Sequence, residues 1–540
     1  MKIEFLEIRS RFKNLDGVRI DFDQNNLMTV IVGRNGSGKS NVLEALVSIF
    51  RNLDLGEPPP FSYVIQYKLG VRDEQRWIRI DADPNRYPAT RQYQAVWTKN
   101  MGTGEKPIRR AQLMRSRSGS ARFLPKYLFA YYSGPSDRLE EHFRRHRTDF
   151  YRHLLQGKLD LEGEIRPLFY AKPIHSQFVL LAFFLSDQEE HERGFLRQHL
   201  GIVGLDSVHF VMRKPEWARQ EGERFWGAGG VVRAFLDRLY PFALAPLRIT
   251  RSEDISLTGR RIKNEFVHLF VPDLDSLKEF ARDLSADVFF KMLESTLLSE
   301  IISEVRVTVR LEKSDGALSF RELSEGEQQL LTVLGLLKFT GGADSIFLLD
   351  EPDTHLNPAW NVKYLSFLRQ FVPDQETSHV LMVSHHPLAI AELEKEQIQV
   401  MWRDESGQVH STEPAASPRG MGYAGILTSD MFGLRTTLDQ PTEDRIRERR
   451  ELTELRELTP DQRTRLTVLD EELSTLGFSS KHWDEDYQEY LQIRKEANAH
   501  QVAELSNDSP EVQKKRREVA AGIVHRLISE GRVRKPDETN

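Results

Sequence analysis

The segment LMTVIVGRNGSGKS, residues 27–40, decides the fold. Its opening run, Leu27 to Val32, is apolar and rich in β-branched residues, the composition of a strand buried on both faces. Gly33 to Ser40 then fit the pattern G-x-x-x-x-G-K-[ST], and the following NVLEALVSIF has helical spacing. A strand, a glycine-rich turn and a helix form the context in which backbone N–H groups wrap phosphate oxygens and the helix N-terminus adds positive potential. On this reading Arg34, Asn35, Gly36, Ser37 and Gly38 form the cradle. Lys39 reaches the β- and γ-phosphates of a nucleotide, and the Ser40 hydroxyl binds Mg2+.

A second buried run, SIFLL at 345–349, ends in Asp350-Glu351-Pro352. Asp350 is placed to bind Mg2+, directly or through water, and Glu351 to position and deprotonate an attacking water. Upstream lies LSEGEQ at 323–328. A serine hydroxyl and a glycine turn at a helix start suit a γ-phosphate. Ser324 and Glu327 also fit an ordinary capping box. Downstream of Glu351, DTHLNP (353–358) leads to the strand-like HVLMVS and then to His385-His386-Pro387.

These motifs together resemble the ABC ATPase heads of SMC, RecF and OLD-type proteins, over about residues 1–60 and 300–395. The resemblance implies an α/β fold: a P-loop ABC-type head with an antiparallel β subdomain, a helical insertion and a C-terminal helical region. It implies ATP and Mg2+ as cofactors. It also implies a homodimer of heads, or a higher oligomer, in which Ser324, Gly326 and Glu327 of one copy close over the nucleotide held by Lys39 of another. His385 matches the γ-phosphate-contacting histidine, with His386 the alternative one position on. The glutamine that such heads carry in a loop near the nucleotide is represented either by Gln177 or by Tyr132-Ser133-Gly134. Asn357 stands where OLD-like relatives often have histidine. GILTSDMFGL (425–434), with a charged helical hairpin after it, resembles the ATPases of Septu anti-phage systems, which implies regulation of a separate HNH nuclease.

The organisation around the motifs divides the chain into 1–136, 137–244, 245–395 and 396–540. Between Ser40 and Ser324 no sustained heptad appears, and Pro125, Pro135, Pro167, Pro173, Pro215, Pro241, Pro246 and Pro272 break any long helix, so the insertion is compact. Residues 60–130 alternate as an antiparallel sheet, and 137–244 read mainly as helices. Strand-like patterns return from 245, a helix covers 275–299, and 245–395 carries the second half of the head. Beyond 395 the region is helical and is expected to dock a partner. Within it, 440–475 predicts two charged helices with Thr459 as N-cap and Pro460 at the first helical position, either solvated surface or a docking arm. The basic amphipathic helix 513–535 reads either as a surface for acidic partners or DNA or as a solvated helix face.

Composition limits the remaining functions. The absence of cysteine excludes disulfides, thiolate metal sites and cysteine nucleophiles. No apolar run is long enough for a bilayer, and the start lacks a signal-peptide pattern, so a cytoplasmic protein without a membrane partner is expected. A net charge of −6 leaves DNA binding to local basic patches. Candidates are Arg109, Arg110, Arg115, Arg117 and Arg122 in a Ser/Gly-rich stretch, and Arg144-Arg145-His146-Arg147; a polar loop and a solvated helix face are the competing readings. Asp484-Glu485-Asp486 has the spacing of a nuclease metal motif but lacks a preceding apolar strand, so no nuclease centre is expected in this chain. The reading is an ATPase subunit that licenses a partner nuclease in anti-phage defence. The alternative is a RecF-like repair ATPase that clamps DNA, with a transporter subunit a distant third.

Overall fold

A computed structural model describes residues 1–478, except 72–73, 100–103, 116–120, 156–166, 187–188, 219–223, 255–260, 313–315 and 456–457, together with residues 522 and 525. Arg117, Asp484-Glu485-Asp486 and nearly all of the basic segment 513–535 lie outside the described residues.

The central layer is a seven-stranded sheet in the order Val409–Thr412, Ile398–Arg403, Met28–Gly33, His379–Val383, Ser345–Asp350, Tyr127–Tyr132, Leu168–Tyr170. All neighbours are parallel except the antiparallel outer pair Ile398–Arg403 and Val409–Thr412. Its inner strands have no polar face because both faces are covered. Along Ser345–Asp350, Ile346 and Leu348 enter one hydrophobic core while Phe347 and Leu349 enter the other. The first core also holds the helix Lys39–Leu55 and the six-stranded antiparallel sheet Val18–Asp21, Lys2–Ile8, Tyr63–Leu69, Arg76–Ala82, Tyr93–Thr98, Lys106–Ile108. The second holds the helices His175–Phe184 and Glu325–Thr340 and the inner face of a five-stranded antiparallel sheet. This is an α/β P-loop head with an antiparallel subdomain.

The five-stranded sheet runs Leu244–Asp254, Arg261–Val271, Ile202–Arg213, Ile302–Leu311, Ala317–Ser319. The stretch 137–244, read above as mainly helical, therefore also contributes the central strand of that sheet. Ile202–Arg213 buries Val208, Phe210 and Met212 on one face, but Gly204, Asp206 and Ser207 interrupt the alternation and hide the strand in the sequence.

The hairpin Gln440–Glu454 and Pro460–Thr475 forms as read, with the Thr459 hydroxyl accepting from the Gln462 N–H and Pro460 inside the first turn. Its helices are joined by ion pairs. Arg465 grips Glu448 through two bonds of 2.7 Å, and Arg445 meets Glu472 at 2.8 Å. No helix among the described residues is long and apolar enough to cross a membrane.

Candidate functional site

The P-loop leaves the strand Met28–Gly33 and enters the helix at Gly38, whose φ of +98° is a conformation that side chains disfavour. Arg34, Asn35 and Gly36 form an exposed crest, while Ser37, Gly38 and Lys39 lie buried beneath it. Lys39 Nζ curls back to donate to the carbonyls of Gly33 (2.9 Å) and Arg34 (3.0 Å). Burial lowers its pKa to about 8, although Glu351 and Asp350 oppose that shift. Among the described residues, the buried Ser37 Oγ has no hydrogen-bond partner.

Because Ser345–Asp350 and His379–Val383 are neighbouring parallel strands, their C-terminal ends open at one edge. Ser40 Oγ donates to Asp350 Oδ1 at 2.9 Å. Asp350 has no exposed surface, and burial lifts its pKa to about 6 against the pull of Ser40 and Arg138. Glu351 follows with φ +52°, a strained backbone for a glutamate, and its N–H donates to the Val383 carbonyl. Its Oε1 lies 3.0 Å from His385 Nε2. Burial, then the charge of Lys39, hold the His385 pKa down while Glu351 pushes it up. His386 turns elsewhere: its ring Nδ1 accepts from the Leu388 N–H and caps the next turn. Of the two histidines, His385 is the one beside Glu351.

The loop after Tyr127–Tyr132, the strand beside Ser345–Asp350, supplies Tyr132-Ser133-Gly134. The Ser133 N–H donates to the Asp350 carbonyl. Gln177 instead is buried in the helix His175–Phe184, packed within the second core. Of the two candidates, Tyr132-Ser133-Gly134 is the one that lies beside Asp350.

Ser324 caps the helix Glu325–Thr340, and the capping box is real: Ser324 Oγ and N–H both donate to Glu327 Oε2, at 2.8 and 2.7 Å. Ser324 is nevertheless exposed. A Cβ on Gly326 would meet the His355 carbonyl oxygen at 2.3 Å, so this glycine lets the helix start press against the DTHLNP loop of its own chain. Asn357, which departs from the family pattern, caps the helix Pro358–Phe371 by accepting from the Trp360 N–H.

Two residues escaped the sequence reading. Arg138 Nη2 donates to Asp350 Oδ2 at 3.0 Å. Gln329 spans the helix Glu325–Thr340 and the loop after Asp350, with its Oε1 accepting from the His355 N–H (3.2 Å) and its Nε2 reaching the Glu351 carbonyl at 3.4 Å. Neither belongs to a motif; only tertiary pairing reveals them.

Several residues of the two basic clusters are held by contacts within the head. Arg110 donates to the Gly56 carbonyl, Arg115 pairs with Asp54 at 2.6 Å, and Arg122 lies over Trp97. Arg145 pairs with Glu57, Arg147 with Glu140, and His146 with Asp54. These contacts tie both stretches to the head, while Arg109, Arg122, Arg144 and Arg145 keep exposed side chains, as on a solvated face.

A serine hydroxyl, one buried carboxylate, an orphaned serine beneath a glycine loop and a buried lysine fit a Mg2+–triphosphate, since Mg2+ uses one or two carboxylates and takes phosphate oxygens for the rest. The class defined by fold and site is a P-loop ATPase head with ABC-type parts. The chain belongs to the family described as "AAA domain, putative AbiEii toxin, Type IV TA system", matched over residues 104–391, and residues 1–83 match an AAA ATPase domain. The Septu protein PtuA of Bacillus mycoides (strain KBAB4) is 28% identical over 195 residues, 34% of this chain and only 27% of that relative. Among solved structures, the SMC head domain from Thermotoga maritima is 12% identical, with a TM-score of 0.31, over 76% of this chain and 99% of its own. The Smc head domain from Pyrococcus furiosus gives 14%, 0.32, 76% and 96%.

Proposed function

We propose that this chain is a cytoplasmic, Mg2+-dependent ATPase that dimerises around ATP and controls a separate HNH-type nuclease in anti-phage defence, with DNA as the substrate that the pair guards against. The observation that carries the ATPase part is the convergence, at one sheet edge, of Ser40 with Asp350 and of His385 with Glu351. Lys39 holds the phosphates by exchanging its two loop carbonyls for phosphate oxygens. Ser40 and Asp350 would hold the cation, which would supply charge neutralisation to the phosphates. Glu351 orients a water and takes its proton, and His385, kept largely neutral, steadies Glu351 and faces the γ-phosphate. Ser324, Gly326 and Glu327 close the site from a second copy.

The defence assignment is supported by the PtuA similarity and by the absence of a readable nuclease motif in the sequence. Purification with the products of neighbouring genes, followed by mass measurement with and without ATP, tests it. The expected result is a complex containing a small nuclease whose DNA cleavage changes with ATP. A nuclease that never joins this chain, or cleaves regardless of ATP, defeats the regulatory reading and leaves the ATPase standing.

A further inference from the structure

Asp350 is fully buried, so its carboxylate has no water to lean on and needs a counter-charge. Lys39 does not supply it directly, because its ammonium rests on loop carbonyls. Arg138 does, at 3.0 Å from Oδ2, while Ser40 occupies Oδ1. The guanidinium also lies 5.1 Å from the centre of the Tyr132 ring, in the loop beside the site. One detail marks this as a waiting pose: among the described residues, the buried Arg138 Nε has no hydrogen-bond partner.

Arg138 opens the helix Arg138–Leu155, whose next two turns on that face carry His142 and His146. His142 Nε2 lies 3.1 Å from Glu44, and His146 Nε2 2.8 Å from Asp54. Both acids belong to the P-loop helix. One helix face thus touches the Asp350 carboxylate and grips the P-loop helix at two points.

We propose that Arg138 is a cation surrogate: it holds Asp350 in the nucleotide-free state and yields it when the divalent cation arrives with ATP, making Arg138 a positioning residue that sets how strongly Mg2+ tightens nucleotide binding. The proposal rests on the ATPase reading. A competitor already seated lowers apparent affinity by the fraction of molecules it blocks. Removing it therefore raises the Mg2+-linked gain and leaves cation-free binding alone.

The test titrates the full chain with a fluorescent ATP analogue at pH 8, in EDTA and in Mg2+, for the wild type, Arg138→Gln, Arg138→Ala and Arg138→Lys. The Gln variant keeps a donor and much of the length if the Ala variant fails to fold. The expected result is a Mg2+-linked gain roughly tenfold larger in Arg138→Gln, EDTA affinities within about twofold, and Arg138→Lys close to wild type. A gain that is unchanged or smaller in Arg138→Gln overturns the proposal, a smaller one showing that Arg138 assists the nucleotide instead. Wild type that binds no analogue even with Mg2+ removes the ATPase reading itself, a distinct outcome.

Discussion

The P-loop half and the half built on LSEGEQ (323–328), the signature half, follow opposite plans in the proposed site. In the first, the key polar groups have internal partners: Lys39 on two carbonyls, Ser40 and Arg138 on Asp350, His385 near Glu351. In the second, Ser324 is exposed and bonds only within its own turn in the contacts described above. A half saturated from within must trade bonds to receive a ligand, so binding rearranges it. A half satisfied locally and open outward keeps its shape and can meet a nucleotide carried by another copy.

Removing Lys39 presses hardest on that contrast. Lys39→Ala should weaken ATP binding by roughly 100-fold or more, since a charge-assisted phosphate contact in a buried site disappears. The nucleotide-free melting temperature should move by no more than about 2 °C, because the ammonium is held at a desolvation cost. Equilibrium binding and calorimetry read the two numbers. A large loss of stability without ligand would mean that the P-loop needs Lys39 as a structural post. Glu351→Gln should follow, cutting turnover by roughly 100- to 1,000-fold while ATP still binds and a dimer accumulates in light scattering. Sustained hydrolysis by that variant removes Glu351 as the base.

The signature half is expected to fail differently. Ser324→Arg should leave ATP affinity of the single chain within about twofold, yet lower turnover by roughly tenfold or more. Mixing Ser324→Arg with Lys39→Ala should restore part of the activity, because a mixed dimer contains one site with both intact halves. An inactive mixture that still forms mixed dimers would show that the two elements serve one chain.

How much of this could be read beforehand depends on whether a residue's partner is local. The strand Met28–Gly33, the P-loop, Asp350 and Glu351 were legible because a doubly buried strand writes an unbroken apolar run and a phosphate turn needs glycine at fixed offsets. Thr459 and Pro460 were legible because a helix start is decided within four residues. Arg115 was not, since its partner Asp54 lies on the P-loop helix, far back in the chain. Arg138 was hidden in the same way: its neighbours Glu140 and Glu141 suggest an ordinary charged helix, and only the meeting of two distant strands puts Asp350 beside it. Gly326 shows the converse. Its place in LSEGEQ pointed to a phosphate, whereas the fold adds a second reason for glycine in the close approach of His355.

Gln329 offers the finest probe of whether the two halves speak to each other. It is buried on the helix that Ser324 caps, and its amide bridges the Glu351 carbonyl and the His355 N–H. Of the contacts described here it most directly ties the signature helix to the loop after Asp350. Gln329→Ala should cost about 1 kcal/mol of stability, the usual consequence of losing one or two neutral hydrogen bonds that water can partly replace near the half-exposed His355. Its effect on the reaction should be selective. ATP affinity stays within about twofold because no phosphate-binding group moves, while kcat drops roughly three- to tenfold as the backbone of Glu351 loses a restraint on its left-handed conformation. Gln329→Glu keeps the shape and an acceptor for the His355 N–H but removes the donor to Glu351, so it separates the two bonds: turnover as low as in the Ala variant assigns the coupling to Glu351, and near-normal turnover assigns it to His355. Equal kcat in all three proteins would mean that the halves communicate only through the nucleotide itself.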